Sequence, residues 1–132
     1  MQRNYFTKNH TTFLLKAHLI FVTKYRKKIL IGSFDEFVKN ALKEAKTGKF
    51  NIEVIETELD HVHMLVNYDP TISISMIQRY LKQMSAFKAW QKYEKLLERH
   101  FWKNRTLWSN GYFVTSVGNA SIDTIKNYID NQ

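Results

Sequence analysis

The sequence predicts an α+β domain: one antiparallel sheet with helices on one face, in the order βαββαβ, followed by a further helix. Three observations predict it. Apolar residues alternate over 11–23, 50–58 and 61–67 and reappear in a β-rich run after Gly111. They recur at helical spacing over about 33–47, 71–101 and 121–132. The chain of 132 residues is 44% apolar with only four Gly and one Pro, which suits one domain without long linkers.

Thr11–Thr23 is rich in β-formers. One face carries Phe13, Leu15, Ala17, Leu19 and Phe21, and the other the more mixed set Leu14, Lys16, His18, Ile20 and Val22. Lys24, Tyr25, Arg26, Lys27 and Lys28 follow, four cations around one aromatic. Such a run is commonly a solvated turn; it also suits a phosphate-contacting loop with a base-stacking tyrosine. Ser33 and Glu36 have capping-box spacing, and Phe34, Phe37, Val38, Leu42 and Ala45 continue at helical spacing up to Gly48. Phe50–Glu58 reads as a strand with Ile52 and Val54 on one side, joined by a Leu59-Asp60 turn to a strand at His61–Asn67. Ser73 or Ser75 opens a helix whose stripe is Ile74, Ile77, Leu81 and Met84, with Arg79 and Lys82 off it. Helix continues or restarts to about Phe101, burying Trp90, Tyr93 and Leu97. A strand near Gly111, a joint at 118–120 and a helix over 121–132 complete the domain, whose core spans about 11–117.

Merging the middle helices gives βαββαβ, the ferredoxin-like or RRM-like split arrangement. Its chemistry centres on His61-Val62-His63. In a strand, residues i and i+2 share a face. Val62, Met64 and Val66 belong to the helix-covered core, so His61 and His63 belong to the open face. Two imidazoles side by side are either half of a metal site or polar residues on a wet strand face. On the last helix Tyr128 and Gln132 lie one turn apart, flanking the Ile122, Ile125 and Ile129 ridge. A lone tyrosine there is most often a packing residue.

Twenty Lys and Arg against twelve Asp and Glu give a net charge of +8, and 14% of residues are aromatic. That combination favours a polyanion, nucleic acid before an anionic membrane surface. The absence of cysteine excludes disulfides and thiolate zinc sites. Together with an N-terminus lacking a signal-peptide core and no apolar run near ~18 residues, it gives the expectation of a cytoplasmic protein without a membrane partner. No Gly-rich phosphate loop is present, so no nucleotide cofactor is expected.

Four blocks carry a resemblance: His18-Leu-Ile-Phe-Val-Thr-Lys-Tyr-Arg26, Asp60-His-Val-His-Met-Leu-Val66, Leu107-Trp-Ser-Asn-Gly-Tyr-Phe-Val-Thr-Ser-Val-Gly118, and Asn127-Tyr-Ile-Asp-Asn-Gln132. Together and in this order they resemble the single-tyrosine HUH transposases of bacterial and archaeal insertion sequences, the IS-two-hundred, TnpA-like type. The resemblance implies a Tyr128 nucleophile on a C-terminal catalytic helix and a divalent metal held by His61, His63 and Gln132. It also implies cleavage and rejoining of single-stranded DNA through a 5′-phosphotyrosine, recognition of DNA hairpins, and a homodimer with the tyrosine helix docked in trans. The mixed N/O donor set suits Mg²⁺ or Mn²⁺. Lys24, Tyr25, Arg26, Lys27, Lys28, Arg79, Lys82 and Arg105 are the candidate DNA contacts. Three rivals fit less well. An RNA- or DNA-binding module of RRM type lacks its full aromatic signature here, and a two-motif histidine phosphoesterase lacks its second motif. Relaxases and replication initiators are generally larger, with different flanking motifs.

Overall fold

A computed structural model of the chain describes residues 6–8, 11–13, 15–116 and 127–132. The elements are β1 (Phe6–Lys8), β2 (Thr11–Phe13), β3 (Leu15–Val22), α1 (Gly32–Glu44), β4 (Phe50–Glu58), β5 (His61–Tyr68), α2 (Ile74–Lys92), α3 (Glu94–His100) and β6 (Phe113–Ser116). Residues 127–130 are helical. Strands β3 to β6 form a four-stranded sheet in the order β4-β5-β3-β6, antiparallel throughout. Chain order and strand order together are those of the split βαββαβ fold.

The core lies between this sheet and the helices. Leu19 and Phe21 of β3 and Val62, Met64 and Val66 of β5 are buried with Phe34, Val38 and Leu42 of α1 and Ile77 and Leu81 of α2. Alternation along β3 and β5 drives this, since each buried aliphatic or aromatic side chain contributes about 1.5–3 kcal/mol when removed from water. The α2 helix starts where the sequence places it: the Ser73 hydroxyl accepts the Met76 amide at 3.1 Å. It runs without interruption to Lys92, and α3 follows after Tyr93. Two indoles tie the helices to the segment before β6. Trp90 Nε1 donates to the Thr106 carbonyl at 2.8 Å, and Trp108 Nε1 to Ser85 Oγ at 2.9 Å.

Three local expectations are corrected. The first strand is divided. Leu15 pairs with Tyr68, the last residue of β5, so Thr11–Phe13 has no place in the large sheet and pairs with β1 instead. The capping box at Ser33 and Glu36 is not formed: the N-cap is Ile31, without a side-chain cap. Buried Ile29 and Leu30, with the Leu30 amide bonded to the Leu59 carbonyl, fix the entry to α1 two residues early. Glu36 pairs with Lys39 at 3.0 Å. Finally, Ile52 and Val54 do not share a face. The β4–β5 register shifts between them, so Ile52 is buried and Val54 is 43% exposed. The expected joint at 118–120 and the first part of the last helix lie outside the described residues.

Candidate active site and nucleic-acid interface

Cross-strand partners in an antiparallel pair share a face, and the register lays out the open side of the sheet in rows. One row runs Glu56, His63, Ile20, Phe113; a second runs Glu58, His61, Val22; a third runs Leu65, His18, Thr115. These rows alternate with the core residues Leu19, Phe21, Val62 and Met64. Both histidines of the His61-Val62-His63 strand therefore stand on the face away from the helices, as the alternation requires.

Their local environments differ. His61 Nδ1 lies 2.9 Å from Asp60 Oδ1, and Arg26 Nε donates to Asp60 Oδ2 at 3.1 Å. Asp60 is buried. Burial by itself would raise its pKa, but the hydrogen bonds from His61 and Arg26 outweigh that and hold the carboxyl below its ordinary value. An ionised carboxylate can only accept, so His61 donates from Nδ1 and keeps a lone pair on Nε2. That is how carboxylates orient metal-binding histidines.

His63 Nε2 lies 2.8 Å from His18 Nδ1, with ring centroids 4.9 Å apart. Burial lowers the His63 pKa and His18 lowers it further, against an opposing pull from Glu56. The ring is thus held neutral, the state a metal ligand needs. His18, Val54, Glu56, His63 and Leu65 line a cavity of about 210 Å³. Among the described residues no group of three or more His, Cys, Asp or Glu is placed to hold a metal ion. A metal on this face would have the imidazoles of His61 and His63 and would need a ligand of another kind.

Tyr128 is on the same side. Its ring packs on Phe113 at a centroid distance of 5.2 Å, and Phe113 stands in the His63 row, two strands away. Two strand spacings are about 10 Å. Burial raises the Tyr128 pKa. Ile129 is buried, and Gln132 is exposed with Nε2 donating to the Tyr128 carbonyl at 3.2 Å. The structure thus brings Tyr128 to the histidine face, while Gln132 closes its own helical turn.

The basic candidates separate into two groups. Arg26 is committed to Asp60. Lys82 lies off the apolar stripe yet is drawn inward: its ammonium donates to the carbonyls of Ser109 (3.0 Å) and Gly111 and sits over the Phe21 ring. Burial lowers its pKa. Arg105 covers Trp90 and pairs with Glu94 at 3.2 Å. Lys28 and Arg79 are exposed, and Lys24 and Lys27 are half-buried. Tyr25 is 72% exposed and holds a left-handed backbone, φ 60°, followed by Arg26 at φ 51°. Two such residues cost about 1–3 kcal/mol each. Four bonds enforce the turn: the Thr23 amide to the Asp60 carbonyl, Thr23 Oγ1 to the Lys27 carbonyl, the Lys24 amide to the Leu107 carbonyl, and Arg26 to Asp60.

The amino-acid pattern alone gave no role to Asp60, His18, Phe113 or Trp102. His18 and Phe113 acquire theirs from the β3–β5 and β3–β6 registers, which no single segment reveals. The signal for Asp60 was available, a lone acid immediately before a histidine strand.

Residues 11–132 match the family model described as Transposase IS200 like. The chain belongs to the IS200-like transposase family. The transposase for insertion sequence element IS200 from Salmonella typhimurium is 32% identical over 125 residues, 93% of this chain and 80% of that protein. The ISDra2 transposase TnpA from Deinococcus radiodurans is 31% identical over 122 residues, 91% of this chain and 85% of that protein. A 1.90 Å crystal structure from Deinococcus radiodurans, described as a transposase, superposes with a TM-score of 0.84 at 27% identity, covering 100% of this chain and 98% of that one. A REP-associated tyrosine transposase bound to a REP hairpin shares the fold at a TM-score of 0.54 and 14% identity, covering 98% of this chain and 68% of that one. No helix among the described residues of this transposase is long and apolar enough to cross a membrane.

Proposed function

We propose that this transposase cleaves and rejoins single-stranded DNA at the ends of an insertion sequence, with Tyr128 as nucleophile. The observation that carries the reading is the packing of Tyr128 on Phe113, which puts the phenol on the same sheet face as His61 and His63. In cleavage the Tyr128 oxygen loses its proton and bonds to phosphorus. The bond from phosphorus to the 3′ oxygen breaks, and that oxygen leaves as a 3′-OH. In rejoining, a second 3′-OH attacks the phosphotyrosine and Tyr128 regains its proton. One phosphoester is exchanged for another, so no ATP is consumed.

A phenol of ordinary pKa is about one part in a thousand ionised at pH 7, and burial makes Tyr128 less so. Mg²⁺ or Mn²⁺, when bound, supplies charge stabilisation at the scissile phosphate. His61 and His63 would hold it, the first oriented by Asp60, with the Gln132 amide as third ligand. Gln132 Nε2 is the atom that donates to the Tyr128 carbonyl, so Oε1 is the atom it would offer. The DNA partner is a single strand carrying hairpins; the REP-associated tyrosine transposase that shares the fold is bound to a REP hairpin. The cations at Lys24, Lys27, Lys28 and Arg79 supply backbone contacts, each adding ~0.7 to the salt slope. The protein acts as a homodimer in which the tyrosine helix exchanges its seat on Phe113 of its own chain for the equivalent seat on the partner, and so serves the partner's histidines.

The test is a denaturant-resistant protein–DNA adduct on single-stranded DNA carrying the element's own end. It should form with Mn²⁺, fail with EDTA and fail in Tyr128→Phe. An adduct that survives Tyr128→Phe sinks the mechanism. Mixing Tyr128→Phe with His61→Ala tests the assembly: docking in trans restores one intact site per mixed dimer, docking in cis restores none.

A further inference from the structure

Tyr25, which the strained turn projects, has no part in the chemistry above, and a cleft stands beside it. Lys24, Tyr25, His100, Phe101, Trp102 and Lys103 line a cavity of about 450 Å³. Two large aromatics face solvent in it, Tyr25 at 72% and Trp102 at 74% exposed. An exposed tryptophan is uncommon, because its surface is the largest any side chain can hide. Each exposed ring carries a cation: Lys24 Nζ lies 5.5 Å from the Tyr25 centroid, and Lys103 Nζ 4.9 Å from the Trp102 centroid. The Tyr25 ring is 6.4 Å from that of buried Phe101, which forms the inner wall.

We propose that the Tyr25–Trp102 cleft is a nucleobase-binding subsite, which takes one unpaired base of a single strand while Lys24 and Lys103 meet the flanking phosphates. The proposal rests on the reading of this chain as a single-stranded-DNA enzyme and adds to it a place where the strand is gripped. Three features support this occupant. The cleft combines base-sized aromatic surface with positive charge, the combination that binds single strands without sequence readout. Its cations match a polyanion, in keeping with the net charge of +8. Hydrogen bonds also join it to the residue before the histidine strand. Tyr25 follows Lys24 and Thr23, whose amide is bonded to the Asp60 carbonyl, and Arg26 binds the carboxylate that orients His61. A base seated on Tyr25 is thereby placed a few residues from a metal ligand, and the left-handed backbone that costs stability is what turns the ring outward.

The test measures binding by fluorescence anisotropy on two labelled oligonucleotides of equal length, about 12–16 nucleotides. One is oligo-dT and the other an abasic strand that keeps every phosphate. The full-length wild-type chain should prefer dT by fivefold or more. Trp102→Ala and Tyr25→Ala should each cut that preference about fivefold or more, since a stacked base is worth that factor at least. Their salt slope should not change. Lys103→Ala should weaken both strands alike and lower the slope by ~0.7. Trp102 is exposed, so an unchanged circular dichroism spectrum and melting temperature are expected for that variant. A wild type without dT preference, or a preference unaltered in both aromatic variants, overturns the subsite. The adduct assay separates the two readings. Adduct formation with an unaltered base preference removes the subsite alone. A missing adduct with the base preference lost in Trp102→Ala removes the cleavage reading and leaves the subsite.

Discussion

His61 and His63 are two residues apart on one strand and one face, yet they are held in opposite ways. Asp60 accepts a hydrogen bond from Nδ1–H of His61 and leaves Nε2 available. His18 meets His63 at Nε2 itself. The first histidine has Nε2 open; the second is engaged at that same nitrogen. Periodicity tells which face a side chain occupies, but the partner across the sheet or in the turn decides which of its atoms are free.

The comparison can be broken in four places. Asp60→Ala should have the largest effect, weakening Mn²⁺ binding measured by calorimetry about 10–100-fold, the usual result of losing a ligand's orienting partner. Wild-type affinity in that variant would mean that His61 needs no preparation. His18→Ala should act in the other direction and tighten Mn²⁺ binding about 2–10-fold, because one net hydrogen bond no longer has to break first. Weaker binding would instead make His18 a ligand.

The third test is stability against pH. The folded state holds His63 below the ordinary imidazole value of 6.5, so the unfolded chain binds the proton more readily. Stability should therefore fall as pH drops below 6.5, and the loss should end at the lower, folded pKa. Asp60 acts in a different window. Its stabilisation is complete above the ordinary carboxyl value of 3.8 and disappears only below it. Chemical denaturation at pH 7.5 and 5.5 reads the His63 part, and His63→Gln should flatten it. The smallest effect is expected from Tyr25→Asn. Asparagine tolerates the left-handed backbone better than tyrosine, so this variant should be more stable by up to about 1 kcal/mol. A less stable Tyr25→Asn would show that the ring packs on Phe101 strongly enough to offset the strain.

Much of the architecture was legible because it depends on period. The βαββαβ order, the open-face placement of both histidines and the Ser73 cap follow from residues read in sequence. The failures have physical causes. A bulge between Ile52 and Val54 changes which face is inward without changing the amino-acid pattern. The Ser33–Glu36 spacing lost to burial of Ile29 and Leu30, a tertiary contact that moved the helix start. Lys82 has the sequence neighbourhood of a solvated lysine, but the carbonyls of Ser109 and Gly111 come from 27 and 29 residues away. At the site, Tyr128 could be singled out only by resemblance, and its ring contact with Phe113 then put it on the histidine face.

Asp60 gives each of its two oxygens to a different element, one to the histidine strand and one to the basic turn. Substitution of Arg26 alone would leave a buried anion short of its cation, and substitution of Asp60 alone would strand the guanidinium. In lineages that drift apart these two positions should therefore change together or stay fixed, giving a covariation between residues 34 apart in the chain. A chimera that exchanges the turn between relatives should work only when residue 60 travels with it.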